Sequence, residues 1–151
     1  MKRKINLGAG NKIMDTKIWI NHDIRYHRAE IEQAWDLNVY PYPWLDNSFN
    51  EIKCYDVYEH LREPFPRFFN ECWRILERNG TLCIRVAGVD SEHCWSDPTH
   101  FRPFNINSFD FLDMSTDFGN RYSFYTDKKW QILEGFIDIA KELIFKMIPI
   151  K

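Results

Sequence analysis

The chain has 151 residues, of which 44% are hydrophobic and 17% aromatic, and a formal net charge of −2. This composition is too apolar for a disordered chain, and the length suits one domain, so we expect a single domain over residues 1–151. Acids and bases are interleaved throughout, which argues against the backbone of a nucleic acid as a partner.

The first element in the chain is a short apolar run that breaks into two glycines. Residues 4–7 predict a buried strand, and Gly8 and Gly10 allow a sharp turn and a close approach of a ligand to the main chain. Ile13 stands where a dinucleotide-binding fingerprint requires a third glycine, which disfavours an NAD enzyme. The pattern therefore indicates a small-molecule site, with a plain tight turn as the alternative.

Three further strands are expected before the first helix. Residues 18–24 predict a second strand, with Asp23 as a carboxylate at its end. Residues 34–37 predict a third short strand. A proline-containing loop follows, and residues 49–55 then predict a fourth strand. The first two crossovers hold only eight and nine residues, whereas a full helical crossover needs a dozen or more. We expect the first two helices to be stunted or missing.

A strand, a helix and a strand then follow in order. The apolar spacing over residues 64–78 predicts an amphipathic helix, and Asn79-Gly80 is typical of its C-cap. Residues 81–87 are strongly β-prone, so the order implies a right-handed parallel crossover. The fold class is therefore α/β.

The last third of the chain is less regular. Residues 88–128 carry loop signals and predict a lid or substrate segment, with a short helix over residues 107–113 capped by Asn107 or Ser108. Residues 130–136 and 143–150 predict an antiparallel hairpin at the sheet edge.

The location of the protein is expected to be cytoplasmic. The apolar runs are too short to span a membrane, and the basic start of the chain lacks the features of a signal peptide. The four cysteines show no Cys-x-x-Cys spacing, so we expect reduced thiols rather than disulfides.

Six motifs occur in unbroken order between residues 5 and 82. They are Ile-Asn-Leu-Gly-Ala-Gly-Asn (5–11), Asn-His-Asp-Ile (21–24), Trp-Asp-Leu-Asn (35–38), Leu-Asp-Asn-Ser-Phe-Asn-Glu-Ile (45–52), Tyr-Glu-His-Leu (58–61) and Glu-Cys-Trp-Arg-Ile-Leu-Glu-Arg-Asn-Gly-Thr-Leu (71–82). Together they resemble the class I S-adenosylmethionine-dependent methyltransferases, in particular the compact branch that opens with Leu-Asn-Leu-Gly-Cys-Gly. Residues 97–104 also resemble a segment of some members. The resemblance implies a Rossmann-like, mostly parallel sheet, here with an antiparallel C-terminal hairpin and reduced helices on one side.

The resemblance also implies S-adenosylmethionine as the cofactor and places its parts on this chain. The turn of Gly8, Ala9 and Gly10 would pass under the methionine and ribose portion. Asp23 would accept hydrogen bonds from both ribose hydroxyls, because the two oxygens of a carboxylate match a vicinal diol. Asn6 stands where the family usually has an acid, which changes the hydrogen-bond network below the turn.

The adenine end would meet three residues. Ile24 would lie against the ring, Asp36 would accept from the amino group, and Leu37 would supply backbone contacts. The alternatives are a solvated turn acid at Asp23 and a helix or turn cap at Asp36.

The methionine end would be bordered by the segment after the fourth strand. Tyr55, Asp56 and His60 fall in this segment, where Asp56 and the carbonyls would bind the ammonium and aromatic faces would favour the sulfonium. Glu59 and His60 also fit the start of a helix, which is the alternative for that pair.

For catalysis, His100 with Asp97 beside it is the candidate base or acceptor-orienting pair, and a surface histidine is the alternative. We expect no metal, although His93, Cys94, Asp97 and His100 form a cluster with potential ligands. The acceptor is expected to be a small molecule or a sugar.

Two predictions concern the whole chain. An under-covered sheet face would leave apolar surface in water, which predicts self-association. The stunted helices also leave open a second function, namely a catalytically inactive module that binds S-adenosylmethionine or a partner.

Overall fold

The computed structural model describes residues 3–63 and 65–151. Its described strands form one sheet with the order β3-β2-β1-β4-β5-β7-β6, in which the first five are parallel and β7 pairs antiparallel with β5 and β6. The strands are β1 (Lys4–Leu7), β2 (Trp19–Asp23), β3 (Ile31–Ala34), β4 (Phe49–Tyr55), β5 (Leu76–Ala87), β6 (Lys129–Ile137) and β7 (Glu142–Ile150). The predicted α/β fold with an antiparallel C-terminal hairpin is confirmed.

Three α-helices are present in the described part of the chain, α1 (Arg67–Ile75), α2 (Glu92–Ser96) and α3 (Asp117–Arg121). Single 3₁₀ turns cover Tyr58–His60, Asp110–Leu112 and Ser123–Tyr125. The described residues form no helix between β1 and β2 or between β2 and β3, as their short crossovers predicted.

The helix α1 is shorter than its apolar pattern predicted. It ends at Ile75 because Leu76 turns to extended backbone and pairs with Phe49 at the start of β5. Asn79 lies in the left-handed region with a φ of 65°, within β5, so Asn79-Gly80 is a bend in a strand and not the C-cap. The predicted first residue of the helix, Pro64, lies outside the described residues.

Other boundaries also differ from the sequence prediction. The third strand is Ile31–Ala34 and not 34–37, because the chain leaves the sheet after Trp35 and turns at residues 37–38, where Val39 donates its N–H to the Asp36 carbonyl. The helix expected over 107–113 is one 3₁₀ turn whose N-terminus has no side-chain cap. The helices α2 and α3 were not predicted, although Ser91 and Thr116 cap them.

One face of the sheet carries the apolar core. Alternate residues of β1, β4 and β5 on this face are fully buried, and α1 and the aromatic residues of the 104–112 segment pack against them. The buried strand residues are Ile5, Leu7, Ile52, Cys54, Leu82, Ile84 and Val86.

Charged side chains cover the part of the opposite face that β1 and β4 form. Lys4 forms an ion pair with Glu51 at 2.7 Å, and Lys53 lies 4.8 Å from the ring centre of Trp19. These side chains alternate with the core residues on the same strands, so this part of the helix-free face exposes charge. On β6 the same face carries Phe136, which is 47% exposed. Self-association stays a prediction.

No helix in the described ranges has the length and apolarity needed to cross a membrane. The four cysteines are unpaired, and Cys54, Cys72 and Cys94 are buried.

Candidate functional site

The turn after β1 is built around two glycines in the left-handed region. Gly8 has a φ of 62° and Gly10 a φ of 51°. A Cβ on Gly8 would lie 2.3 Å from Cγ2 of Val57, so this position has no room for any side chain. A Cβ on Gly10 would meet its nearest atom, the Gly8 carbonyl oxygen, at 4.0 Å, so the space above Gly10 is open. The turn thus combines a closely packed floor with an open approach to the backbone.

Asp23, at the end of β2, is held in place by backbone donors from both sides. Its Oδ2 accepts from the N–H of Gly10 and its Oδ1 from the N–H of Ile24, each at 2.8 Å. Each carboxylate oxygen accepts two hydrogen bonds, so both oxygens keep capacity for a ligand.

His22 lies below this turn and connects it to the segment after β3. Its Nδ1 accepts from the N–H of Gly8 at 3.3 Å, and its Nε2 faces the Trp35 carbonyl at 3.0 Å. Because a carbonyl only accepts, the proton lies on Nε2 and the ring is neutral. Burial lowers the pKa of His22 to about 4, which agrees with a neutral ring.

These elements line a first cavity of about 310 Å³ at the carboxyl ends of β1, β2 and β4. Seven residues predicted for the cofactor line it: Gly8, Asp23, Ile24, Asp36, Leu37, Asp56 and His60. The side chain of Ile24 is 62% exposed at this cavity, so it offers an apolar surface to a ligand. Oδ1 of Asp36 accepts from Asn38, which leaves Oδ2 available.

The other four predicted residues do not line the cavity. Asn6 is buried and donates to the Lys12 carbonyl and to Asn21, so it supports the glycine turn from below. Ala9 is buried, and Gly10 contributes its N–H to Asp23. The guanidinium of Arg85 lies over the ring of Tyr55, with its carbon atom 5.1 Å from the centre of that ring.

A second cavity of about 680 Å³ adjoins the first, and Asp56 and His60 line both. Its walls come from the ends of β4 and β5, from α2 and the residues after it, and from the β6–β7 turn. The two predicted catalytic residues, Asp97 and His100, line this second cavity.

Asp56 stands between two cations in the second cavity. It pairs with the guanidinium of Arg85, whose Nε lies 2.8 Å from Oδ1, and with the ammonium of Lys12. Burial by itself raises the pKa of Asp56, but the two cations outweigh burial and the pKa is lowered overall. The carboxylate is thus already compensated by protein charges.

Glu59 is 1% exposed and has one free oxygen. Its Oε1 accepts from the N–H of Ala87 at 3.2 Å, while Oε2 has no hydrogen-bond partner within the described residues. Burial raises the pKa of Glu59 to about 7. A buried acceptor without a partner in the wall of a cavity is suited to contact a ligand.

The rings of His60 and His100 pack edge to face in the wall of the second cavity, with their centres 4.6 Å apart. His60 Nδ1 lies 2.8 Å from Oγ1 of Thr99, and His100 Nδ1 lies 3.2 Å from the Cys94 carbonyl oxygen. Hydrogen bonds from the hydroxyl and N–H of Thr99 lower the pKa of Asp97.

The four-residue cluster considered from sequence does not form as such. Cys94 is buried, and its carbonyl, not its sulfur, contacts His100. The structure instead brings Asp97 and His100 together with His60. His93 lines the same cavity without joining this group.

Within the segment 88–128, only residues 93–100 line the second cavity. Phe104, Phe109 and Leu112 are buried in the core, so this later part is anchored. Arg102 donates to the carbonyls of Leu61 and Glu63 and ties the segment to the site.

Sequence reasoning did not select five charged residues of the second cavity, namely Lys12, Glu59, Arg85, Asp138 and Glu142. Glu59 stood within a quoted motif but fitted a helix start equally well. Arg85 and Glu142 carry no local signal, because they meet only through the pairing of β5 with β7.

Comparison with known proteins gives a family match over part of the chain. Residues 15–84 match the family model described as a methyltransferase domain. An uncharacterized protein of Methanocaldococcus jannaschii is 32% identical over 77 residues, which cover 48% of this chain and 33% of that relative. The chain therefore matches only a third of the length of this curated relative.

Solved structures match over nearly the whole chain. An S-adenosylmethionine-dependent methyltransferase of Thermotoga maritima, described as a possible histamine N-methyltransferase, has a TM-score of 0.65 at 14% identity over 98% of this chain and 82% of its own. A 16S rRNA (adenine(1408)-N(1))-methyltransferase of Catenulisporales acidiphilia with S-adenosylmethionine has a TM-score of 0.62 at 11% identity, covering 98% and 84%. At these identities the likeness concerns the fold.

Proposed function

We propose that this chain, which carries the fold and the domain match of S-adenosylmethionine-dependent methyltransferases, binds S-adenosylmethionine in the first cavity and methylates an acceptor in the second. One observation carries the proposal: seven residues predicted from sequence motifs line a single cavity, which adjoins a larger one at Asp56 and His60. The neighbour solved with S-adenosylmethionine supports the choice of cofactor.

The residues present fit the nucleoside end of the cofactor. The backbone above Gly10 is open, and Asp23 is fixed with acceptor capacity on both oxygens for a ribose diol. Ile24 supplies an apolar face for adenine, and Asp36 keeps one free oxygen for its amino group. When bound, the cofactor supplies an electrophilic methyl group on a sulfonium.

The methionine end would lie toward the wall that both cavities share. Beside this wall, in the second cavity, Lys12 and Arg85 together carry one more charge than the Asp56 carboxylate they pair with, which leaves positive charge for a carboxylate. The free Oε2 of Glu59 suits a cationic group. We expect the carbonyls of this wall, rather than Asp56 alone, to contact the ammonium, because Asp56 is already paired with two cations.

The acceptor is proposed to be a small molecule or a sugar. The second cavity is lined by five carboxylates but only two permanent cations, an unfavourable setting for a polyanion. His100 and Asp97 would orient the acceptor, and His100 Nε2 would take a proton where the acceptor carries one.

A catalytically inactive binding module is the second candidate, favoured by the helix-free first crossovers. The two functions differ in one measurement. Incubation with S-adenosylmethionine and a panel of amines, phenols and sugars yields S-adenosylhomocysteine only from an active enzyme. Tight binding without product on any acceptor would favour the module.

The test of cofactor binding is the substitution Asp23→Asn. We expect the affinity for S-adenosylhomocysteine, measured by isothermal titration, to fall about tenfold or more, because charge-assisted hydrogen bonds to the diol are lost. Asp15→Asn, at an exposed turn acid outside both cavities, is the control and should bind as the unsubstituted chain does. Equal affinity of the two variants would contradict the proposed site.

Two further predictions await experiment. We propose a cytoplasmic location, consistent with the unpaired cysteines, and self-association of the chain. Light scattering across a dilution series measures self-association, and a constant monomer mass at all concentrations would contradict it.

A further inference from the structure

We propose that His60, Asp97 and His100 form a binding site for a divalent transition-metal ion in the second cavity. One potential ligand atom from each of these residues lies within 4.8 Å of the other two. All three side chains line the cavity, which gives an ion a path from solvent.

The hydrogen bonds around His60 leave its Nε2 free to bind a metal. The hydroxyl of Thr99 has one proton, which it donates to Oδ1 of Asp97 at 2.6 Å. Oγ1 of Thr99 must therefore accept from Nδ1 of His60, at 2.8 Å. With its proton on Nδ1, the neutral imidazole carries a lone pair on Nε2.

His100 reaches the same state through a different partner. Its Nδ1 faces the carbonyl oxygen of Cys94 at 3.2 Å, and a carbonyl accepts only, so the proton lies on Nδ1. Nε2 of His100, which carries the lone pair in the neutral ring, lies 3.9 Å from Oδ2 of Asp97. Metal-binding histidines are usually oriented this way, with the second ring nitrogen donating to a carbonyl or another fixed acceptor.

Asp97 offers its second oxygen next to Nε2 of His100. Oδ1 is occupied by the hydroxyl and the N–H of Thr99, which fixes the carboxylate and leaves Oδ2 as the ligand. Bonds of about 2.1 Å in a tetrahedral site separate ligand atoms by about 3.4 Å, so a small closing motion of these side chains suffices. Open positions would remain for water or an acceptor atom.

The donor set selects the class of metal. Two neutral imidazoles and one carboxylate suit zinc, iron(II), cobalt(II) or nickel(II), whereas magnesium and calcium prefer oxygen ligands. Buried Glu59 lines the same cavity, and its unpartnered Oε2 is an acceptor for water bound to the ion.

Metal binding and general-base catalysis by His100 exclude each other, because Nε2 has a single lone pair. With an ion bound, the contact to the acceptor would pass from His100 to the metal. The metal site itself does not depend on the proposed methyl transfer, and its test uses no S-adenosylmethionine.

The experiment uses the full chain without a histidine tag, stripped with a chelator and then freed of it. Isothermal titration with Zn²⁺ should give one ion per chain, and Co²⁺ should give visible absorption bands of a tetrahedral or five-coordinate site. Mg²⁺ at the same concentration should not bind.

Three variants probe the ligands: His60→Gln, Asp97→Asn and His100→Gln. Each should weaken Zn²⁺ binding about tenfold or more, while His93→Gln, on the same cavity wall, should bind as the unsubstituted chain does. Asp97 has an exposed side chain, so its variant tests the proposal even where a histidine variant fails to fold. Absence of one-to-one binding, or equal affinity of Asp97→Asn and the unsubstituted chain, would overturn the metal site.

Discussion

Gly8 is a position where both the backbone conformation and the packing of a neighbouring side chain require glycine. Alanine there would combine a left-handed φ of 62° with a Cβ 2.3 Å from Cγ2 of Val57. We expect Gly8→Ala to lower the free energy of unfolding by about 2–4 kcal/mol, measured by urea denaturation.

Gly10→Ala is the matched control. Its backbone is also in the left-handed region, but an added Cβ would meet no atom closer than 4.0 Å. It should cost only about 1 kcal/mol. The double variant Gly8→Ala with Val57→Ala should recover part of the loss by removing the clash. If Gly8→Ala and Gly10→Ala lower the free energy of unfolding equally, then backbone strain causes the loss and the contact with Val57 does not.

Individual site residues were predictable where a strand end or a glycine turn marked them. Gly8, Asp23 and Asp36 lie at the cavity because parallel strands bring their carboxyl ends to one edge of the sheet. Asn6 belongs to the support of the turn, since its amide is used by Lys12 and Asn21. Whether a polar side chain faces a cavity or a neighbouring loop depends on contacts outside its own segment.

At the scale of elements, Arg74 joins α1 to the loop before β4. Its guanidinium donates to both carboxylate oxygens of Glu71 and to the carbonyls of Tyr42 and Trp44. Lysine cannot reproduce these directed bonds, so we expect Arg74→Lys to lower the unfolding free energy by about 1–3 kcal/mol.

Thermal and urea unfolding measure this effect, with Arg78→Lys as the control. Arg78 is exposed in β5, just after the end of α1, and its replacement should change stability by less than about 0.5 kcal/mol. If the two variants unfold alike, the guanidinium is not what holds this loop to α1.

The types of the main elements were predictable, but several of their boundaries were not. The strand β4 begins and ends where its β-branched and aromatic pattern indicated, at Phe49 and Tyr55. By contrast, α1 ends at Ile75 because pairing of Leu76 with Phe49 outweighs the helical pattern beyond it. The partner strand, not the local sequence, sets that boundary.

For the whole molecule, the dependence of stability on pH combines two opposed buried groups. The pKa of His22 is lowered to about 4, so its contribution to stability is complete above pH 6.5 and is lost as the pH falls toward 4. The pKa of Glu59 is raised to about 7, so its burial costs stability as the pH rises from 4.5 to 7. The pH ranges of these two effects overlap, so the stability of the unsubstituted chain measured against pH would show neither effect by itself.

The substitution His22→Gln isolates the histidine. Between pH 7.5 and 4, the stability of the unsubstituted chain relative to this variant should fall by about 3 kcal/mol, because only the unfolded histidine gains a proton. Tryptophan fluorescence in urea measures it, and His27→Gln, at an exposed histidine, should run parallel to the unsubstituted chain. A constant difference for His22→Gln would contradict a buried neutral ring.

The sequence by itself determined the α/β class, the parallel crossovers with little room for helices, and the glycine turn with its strand-end acid. These features follow from periodicity, loop length and residue type, all of which are local. The resemblance to class I methyltransferases rested on such local motifs. A methyltransferase-domain model matches residues 15–84, and neighbours at 14% identity or less share the fold.

Only the tertiary structure decided which distant residues share the second cavity. His60 meets Asp97 and His100 because the segment after β5 folds back over the end of β4, where Phe101 donates its N–H to the Glu59 carbonyl. The order of the strands likewise decided which side chains meet on the helix-free face, where Lys4 pairs with Glu51 and Lys53 lies over Trp19. Pairing between strands and segments far apart in the sequence brings these side chains together. The energy of that pairing comes from contacts between segments, so no single segment of the sequence predicts it.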